Sequence, residues 1–210
     1  MIEATYIDHM GSDLSVVNAA RVSFGKKHTK FLDGDSNLIR YLAEHKHMST
    51  FGHAFASFHV KAPIFVARQL VKHKFLRWNE ISRRYVDSDP EFYEPDIWRG
   101  RSVDKKQGSD GTVSSGSPSI LTYHADKVAL SNYKLLLHHN VCPEQARMVL
   151  PQSTMTEWYW SGSLDAFADM CNLSCKNDTQ YETRVVANKI SEKLLDLFPV
   201  SWEALKENDR

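Results

Sequence analysis

A change of hydrophobic period at one proline is the strongest constraint on the fold. From Phe55 to Ala62, the sequence FASFHVKA alternates between two sets of side chains and includes aromatic and β-branched members, which predicts a β-strand. Pro63 can begin a helix without losing a needed N–H group, and the following IFVARQLVKHK predicts a helix of about three turns. A strand that leads directly into a helix indicates a fold that mixes both elements.

Helical spacing of apolar residues recurs along most of the rest of the chain. It predicts a helix from Asp13 to Arg21, with Asp13 as its cap, and a second helix after Asp35. Thr154 to Trp160 resembles a strand. Further helices are predicted over residues 120–139, 143–150, 163–173 and 179–198, and from residue 202 onward. Because helix exceeds strand and no internal repeat is visible, we expect one α+β domain over residues 1–210.

The composition is that of a folded, soluble domain. The 210 residues include 26 basic and 26 acidic side chains, so no global field attracts polyanions and any anion site must be a local cluster. The three cysteines are an odd number in a chain with no visible secretory signal, which predicts free thiols and a cytoplasmic location. The longest apolar stretches fall far short of the roughly 20 residues that a membrane helix needs, so we expect no membrane span.

One segment, residues 98–118, differs in composition from the rest of the chain. It is rich in glycine, serine, lysine and aspartate and has almost no apolar content. This composition predicts a mobile surface loop within the domain rather than a linker between domains.

Residues 68–84 form a cationic segment in the otherwise neutral chain. The segment holds one acidic residue, Glu80, and six basic ones: Arg68, Lys72, Lys74, Arg77, Arg83 and Arg84. Solvated surfaces usually mix both signs, so the imbalance favours an anion-binding site over the simpler alternative, a solvated helix face. Residues 75–85 lack a clean period and are predicted to form a loop. The aromatic residues among the cations suit a phosphate-bearing ligand with a flat ring, or a single-stranded nucleic acid.

Other candidate sites have simpler interpretations. His45, His47, His53 and His59 have loose metal-like spacing, but no nearby cysteine or repeated carboxylate completes a ligand set, so no metal site is predicted. Cys171 and Cys175 are interpreted as small core residues rather than as a redox pair.

The most informative motif lies within the cationic segment. It consists of Lys72-His73-Lys74, then seven further residues, then Ser82, with Arg84 following. It resembles the signature of the flavin-dependent thymidylate synthases, Arg-His-Arg, seven residues and then Ser with a trailing Arg, except that both flanking arginines are lysines here. Other blocks of the chain resemble family blocks in the same order: residues 13–15, 19–24, 45–47, 58–69, 79–80, 84–85 and 146–151. The resemblance covers nearly the whole chain outside residues 98–118.

The resemblance implies a fold, a reaction and an assembly. The fold would be a single domain with a mixed or antiparallel sheet and several helices. The reaction would move the one-carbon unit of methylenetetrahydrofolate to C5 of deoxyuridylate and reduce it to a methyl group, with FAD as the cofactor and NADPH as the reductant. The assembly would be a homotetramer with active sites between subunits. Two alternatives stay open: deoxycytidylate as substrate or a hydroxymethyl product on the same scaffold, and a non-catalytic nucleic-acid-binding or regulatory module, although we expect no nucleic-acid partner.

The resemblance also implies site residues. The positions that match substrate contacts are Gln69, Glu80, Ser82, Arg84, Arg147 and Ser174. The positions that match the cofactor side are Ser49, Lys72, His73, Lys74, Glu80 and Asp169. The residues assigned to catalysis are Ser82, His47 and Arg147. A guanidinium can offer paired donors to an oxyanion, so Arg84 and Arg147 are the natural phosphate and sugar clamps, and Ser82 is expected to donate a hydrogen bond rather than to attack.

The chain departs from the family pattern near residue 174. Ser174 stands where related sequences have an arginine directed to the pyrimidine, Asp165 stands where arginine is usual, and Asp169 where asparagine or histidine is usual. Lys176 or Arg77 would then have to supply the missing donor. A carboxylate and a hydroxyl suit an amino-bearing ring such as cytosine, which is why deoxycytidylate stays open as a substrate.

Overall fold

A four-stranded antiparallel sheet with strand order β1-β2-β6-β3 forms the centre of the fold. The computed structural model describes residues 1–103 and 108–206. The six strands of the described residues are β1 Glu3–Met10, β2 Phe55–Pro63, β3 Arg77–Glu80, β4 Arg99–Arg101, β5 Ser109–Thr112 and β6 Met155–Ser163. The α-helices are α1 Asp13–Arg21, α2 Asp33–Glu44, α3 Ile64–Leu70, α4 Ser117–His138, α5 Pro143–Ala146, α6 Leu164–Ser174, α7 Tyr181–Leu197 and α8 Pro199–Leu205. The expected α+β domain with an antiparallel sheet is confirmed.

One face of the sheet is buried, as the alternating sequences of β2 and β6 require. Every second side chain of β2 from Ala56 onward points into the core, and the paired residues of β6 follow the same alternation. Helices α6 and α7 cover this face. Phe58 and Trp160 each pack edge-on against Phe167 of α6, with ring centroids 5.5 and 5.8 Å apart. The aromatic layer fixes the position of α6, whose last turn contributes to the candidate site.

Helix α1 has the predicted bounds, but its cap differs from the prediction. Ser12 occupies the cap position, and Asp13 is the first helical residue. The buried Asp13 carboxylate instead accepts hydrogen bonds from the backbone N–H groups of Val200 and Ser201, at 3.0 and 2.9 Å. Asp13 therefore caps helix α8 at the other end of the chain and joins both termini of the domain.

The segment after Pro63 is shorter as a helix than predicted. Helix α3 ends at Leu70, so Lys72 and His73 lie in the turn beyond it, and Pro63 is its cap. Phe75 adopts a left-handed backbone conformation with φ of 65°. A Cβ on Gly162 would lie 2.5 Å from Leu76 Cδ2 and 3.3 Å from the Phe75 carbonyl oxygen, so glycine in β6 lets this turn approach closely, and a larger residue would require the Leu76 side chain to move.

The predicted loop over residues 75–85 is wrong in part, because strand β3 lies inside it. Arg77–Glu80 pairs with β6 and forms the edge of the sheet. Consequently the cationic segment runs from a helix through a turn into an edge strand.

The predicted surface loop over residues 98–118 is also wrong in part. Strands β4 and β5 form a hairpin within it, and α4 already begins at Ser117. Arg99 of β4 forms an ion pair of 2.7 Å with Glu182, which ties the hairpin to α7. Residues 104–107 lie outside the described residues, and the mobility of the segment stays a prediction.

Helix α4 has an unusual distribution of apolar side chains. Ala129 and Tyr133 pack inward, whereas Leu121, Val128 and Leu135 are 69%, 60% and 53% exposed. The three exposed residues recur every seven positions and form one stripe along the helix. We call these three residues the α4 stripe.

The remaining helices are present where the sequence predicts them, although α2 begins two or three residues earlier, at Asp33, and α8 three residues earlier, at Pro199, and residues 143–150 differ more. There a short α5 ends at Ala146 and a 3₁₀ turn continues through Arg147–Val149. Helix α6 and helix α7 lie within a residue or two of their predicted bounds. Across the described residues, none of the helices is both long and apolar enough to cross a bilayer.

Candidate active site

A cleft of about 760 Å³ opens where the end of α3, the end of α6, the start of α7 and the β4–β5 hairpin meet. Its size suits a nucleotide-sized ligand. Three of the residues predicted for the site line it, namely Gln69, His73 and Ser174. The lining residues that the sequence did not assign as site residues include Arg99, Ser109, Leu173, Lys176, Thr179 and Gln180. Lys176, the predicted substitute donor, thus lies beside Ser174, whereas Arg77 does not line the cleft.

His73 and Ser174 form a polar pair at one wall. The Ser174 hydroxyl is 3.3 Å from His73 Nε2, and Ser174 is only 4% exposed. Burial lowers the pKa of His73, while the negative charge of Asp169 opposes that shift. Since the net effect is a lowered pKa, the His73 imidazole is neutral at pH 7 and can act as either donor or acceptor towards Ser174.

Gln69 is held in one orientation by a buried threonine. The hydroxyl of Thr183 donates to Gln69 Oε1 at 2.8 Å, and Thr183 is fully buried. With its oxygen engaged, Gln69 offers its amide nitrogen, which carries two donors, as the group for a ligand. Sequence reasoning missed Thr183, because an isolated threonine in a helix has no motif.

Arg99 of the β4–β5 hairpin is also an anchored lining residue of the cleft. Its Nη2 lies 2.7 Å from each carboxylate oxygen of Glu182, and its Nε donates to Ser109 Oγ at 2.9 Å. The guanidinium also lies over the ring of Tyr181, 4.8 Å from the centroid. Burial and the neighbouring Glu182 raise the pKa of Tyr93 to about 12, so the phenol stays protonated beside the carboxylate.

Glu80 ends strand β3 outside this cleft. Its Oε1 accepts a hydrogen bond of 2.7 Å from Thr156, and its Oε2 accepts one of 3.1 Å from Trp78 Nε1. The Trp78 ring stacks on Trp158 with centroids 4.3 Å apart. Both carboxylate oxygens are therefore fixed by side chains that are themselves held by packing.

Ser82 and the predicted clamp Arg84 follow Glu80 closely in the sequence, and the second predicted clamp, Arg147, follows α5. The Ser82 hydroxyl accepts a hydrogen bond of 3.3 Å from the backbone of Arg84. Arg84 and Arg147 both contact Glu144: Arg84 Nε is 3.5 Å from its carboxylate, and Arg147 Nε donates to its carbonyl at 3.2 Å. The two exposed arginines converge, but they do not line the cleft.

The remaining predicted residues lie in two places. His47, Ser49 and Asp169 lie around the 3₁₀ turn Met48–His53, and Lys72 and Lys74 lie in the turn after α3. His47 and Ser49 are exposed in and before the 3₁₀ turn Met48–His53. Asp169 faces this turn, in a small pocket that Lys46 also lines. Lys72 and Lys74 are exposed, and no described carboxylate lies within ion-pair distance of either.

The cysteine, histidine and acidic side chains of the described residues do not gather at the cleft. In the described part of the chain, no group of three or more histidine, cysteine or acidic side chains is arranged to hold a metal ion. Cys142, Cys171 and Cys175 are free, as expected, and Cys171 is buried in the core. None of the three lines the cleft.

Comparisons with known proteins agree with the motif. The family model for "Thymidylate synthase complementing protein" matches residues 5–200. A flavin-dependent thymidylate synthase of Thermus thermophilus is 40% identical over 202 residues, which cover 96% of this chain and 74% of the relative. One from Thermosipho melanesiensis is 38% identical over 208 residues, which cover 97% and 90%. A crystal structure of the UMP/dUMP methylase PolB from Streptomyces cacaoi, bound with 5-Br dUMP, superposes with a TM-score of 0.88 at 32% identity and covers 97% of this chain and 94% of that chain.

Proposed function

The chain belongs to the thymidylate synthase complementing protein family, and we propose that, as a flavin-dependent thymidylate synthase, it transfers the one-carbon unit of methylenetetrahydrofolate to C5 of deoxyuridylate with NADPH as the reductant. The resemblance seen in the motifs is confirmed by the family match. The observation that carries the substrate assignment is the cleft in which Gln69, His73 and Ser174 converge from three helices and turns. An enzyme is therefore favoured over a non-catalytic nucleic-acid-binding module.

The residues after α3 fit a flavin. Lys72 and Lys74 flank His73 and carry positive charges that no described carboxylate neutralises, which suits a ligand with a diphosphate. Lysines keep the positive charge of the arginines in the family's Arg-His-Arg motif but lack the planar guanidinium. We therefore expect this chain to bind the flavin less tightly than a chain with Arg-His-Arg does. Bound FAD supplies the hydride that completes the methyl group, so no cysteine nucleophile is needed. We infer that Ser49 and Asp169 contribute to the same cofactor.

The other side chains bind and orient the substrates. Gln69 and Ser174 hold the pyrimidine nucleotide in the cleft. Glu80 lies outside the cleft of its own protomer, so in the proposed assembly it presents its fixed carboxylate to the nucleotide of a neighbouring subunit. Arg84 and Arg147 are the proposed phosphate and sugar clamps. Ser82 donates a hydrogen bond, and His47 contributes to catalysis on the nicotinamide side. These side chains position the substrates and stabilise the charge that develops during the reaction, and neither role requires a covalent bond between substrate and protein.

We infer that the active unit is a homotetramer in the cytoplasm. The cleft, the arginine pair at α5 and the exposed His47 lie in separate regions of one protomer, so a complete site needs groups from a neighbouring subunit. The α4 stripe offers an apolar surface that an assembly would bury. The three free cysteines favour a reducing compartment.

Replacing Val128 with glutamate should dissociate the assembly. A charge in the middle of the α4 stripe would have to be buried without a partner, which opposes association strongly. We expect a smaller particle by light scattering, together with loss of thymidylate formation. Val22→Glu is the matched control, since Val22 is 70% exposed on a different element. An unchanged mass for the Val128 variant would rule out α4 as the interface.

Product analysis in a single turnover tests the proposed function. The purified protein should carry flavin, and its reduced form should convert deoxyuridylate and methylenetetrahydrofolate to thymidylate. Deoxycytidylate is run in parallel, and the product is separated from any hydroxymethyl nucleotide by mass. A strong preference for deoxycytidylate, or a hydroxymethyl product, would replace the proposed reaction with its alternative. A protein without flavin and without product would contradict it.

A further inference from the structure

The cleft contains a second anchored donor that no family motif includes. Arg99 comes from the β4–β5 hairpin. Three neighbouring groups contact its guanidinium, namely the Glu182 carboxylate, the Ser109 hydroxyl and the Tyr181 ring. These contacts use Nη2 and Nε. Among the described residues, Nη1 has no acceptor. The guanidinium is therefore fixed in place with one pair of N–H groups left for a ligand.

The charge around Arg99 favours a carbonyl oxygen over a phosphate as that ligand. Glu182 is 3% exposed and neutralises the guanidinium at 2.7 Å. Lys176 and Asp178 also line the cleft and carry opposite charges, so together with the Arg99–Glu182 pair they leave these four residues with no net positive charge. A neutralised arginine beside an acid attracts a phosphate weakly, but its N–H groups still donate hydrogen bonds to a neutral acceptor.

Gln69 provides a matching donor in the same cleft. Thr183 engages its oxygen, so the amide nitrogen faces ligands. Uracil has two carbonyl oxygens, whereas cytosine replaces one of them with an amino group. Because two donors cannot bond to each other, a fixed donor that faces position 4 of the ring accepts O4 of uracil and rejects the amino group of cytosine.

Resting on the proposed function, we propose that Arg99 is a specificity-determining residue whose Nη1 donates to O4 of the uracil ring, the oxygen that cytosine replaces with an amino group, while the amide nitrogen of Gln69 is a second donor to the ring. The hairpin thus selects deoxyuridylate over deoxycytidylate. The departure at Ser174 does not convert the site to cytosine, because the donors come from elsewhere in the cleft.

The test is Arg99→Lys. Lysine keeps the positive charge that Glu182 needs but removes the planar fork and its free N–H pair. We expect the dissociation constant for deoxyuridylate, measured by titration of the oxidised flavoprotein, to rise about tenfold. The preference for deoxyuridylate over deoxycytidylate should fall by a similar factor. Arg101→Lys on the same hairpin is the matched control and should bind as the wild type does.

A second ligand distinguishes the ring from the phosphate. 2-Deoxyribose 5-phosphate keeps the phosphate and lacks the ring, so its inhibition constant should be the same in the wild type and in Arg99→Lys. Equal weakening of both ligands would place Arg99 on the phosphate and overturn the proposal. Unchanged binding of deoxyuridylate would also overturn it.

Two further measurements separate folding and function from specificity. Thermal unfolding and flavin content of Arg99→Lys should match the wild type. If they do not, the pair Arg99→Met with Glu182→Gln removes both charges together, leaves no buried carboxylate unpaired, and should show the same change in preference. A wild type that forms no thymidylate would contradict the proposed function, whereas an active wild type with an unaffected Arg99→Lys variant contradicts the specificity role alone.

Discussion

Replacing Glu80 with glutamine should lower kcat/KM for deoxyuridylate by about a hundredfold. The side chain keeps its shape but loses its negative charge, and with it the charge-assisted contacts proposed to substrate and flavin. The new amide nitrogen would also face a donor, because Trp78 Nε1 points at Oε2 and Thr156 already donates to Oε1. Steady-state kinetics of thymidylate formation, with flavin content measured on the same samples, provide the readout.

Two comparison variants make the Glu80 result interpretable. Glu157→Gln removes a carboxylate from the neighbouring strand β6, where it pairs with His59 and Lys61 at the surface, and should change kcat/KM by less than about threefold. Thr156→Val leaves the Glu80 charge but removes the donor at Oε1, and we expect about a tenfold loss. A Glu80→Gln enzyme with nearly full activity would show that the fixed carboxylate serves only the packing of Trp78.

The elements that were predicted well are those with local causes. Helix α1 has the expected bounds because its nine consecutive residues contain both the helical spacing of apolar side chains and a polar residue at the start. Strand β2 alternates from Phe55 to Ala62 because one face of the sheet is buried. In both cases a run of neighbouring residues carries the whole signal.

The elements that were missed depend on distant partners. Strand β1 is mostly exposed at the edge of the sheet, so its side chains do not alternate clearly. Strand β3 is only four residues long and exists because β6 offers a pairing edge. The β4–β5 hairpin lies in a stretch whose composition resembles a loop, and Glu182, its anchor, is 83 residues away from Arg99.

The candidate site divides in the same way. Gln69, His73 and Ser174 were found through motifs, and the structure brings them to one cleft. Arg99 and Thr183 have no motif, because each acts through a contact that only the folded chain creates. The family pattern points to Gln69, His73 and Ser174, whereas Thr183, which orients Gln69, and Arg99, which is proposed to contact the ring, emerge only from the geometry.

Asp35→Asn should lower the free energy of unfolding by about 3 kcal/mol. The Asp35 carboxylate is fully buried. It accepts hydrogen bonds from Arg21 Nη2 at 2.8 Å, from His28 Nδ1 at 2.9 Å and from the backbone of Leu32 at 3.0 Å. It therefore joins α1, the segment between the helices and the start of α2, and an amide cannot accept all three bonds.

The same variant should change how stability depends on pH. Burial alone would raise the pKa of Asp35, but the hydrogen bonds from Arg21 and His28 together lower it from 3.8 to about 2. A carboxyl with a lowered pKa stabilises the fold above its unfolded pKa and loses that contribution as the pH falls towards its folded value. At pH 3 the difference between the wild type and Asp35→Asn should be about 1 kcal/mol smaller than at pH 7.

Urea unfolding at pH 7, 5 and 3 measures both effects. Asp33→Asn is the matched control, because Asp33 lies in the same first turn of α2 but is exposed. It removes only a favourable charge at the helix N-terminus, so it should cost less than about 1 kcal/mol. A difference between wild type and Asp35→Asn that is the same at pH 3 and pH 7 would mean that the charge of Asp35 contributes nothing, and that the variant destabilises the protein only by disturbing the packing between α1 and α2.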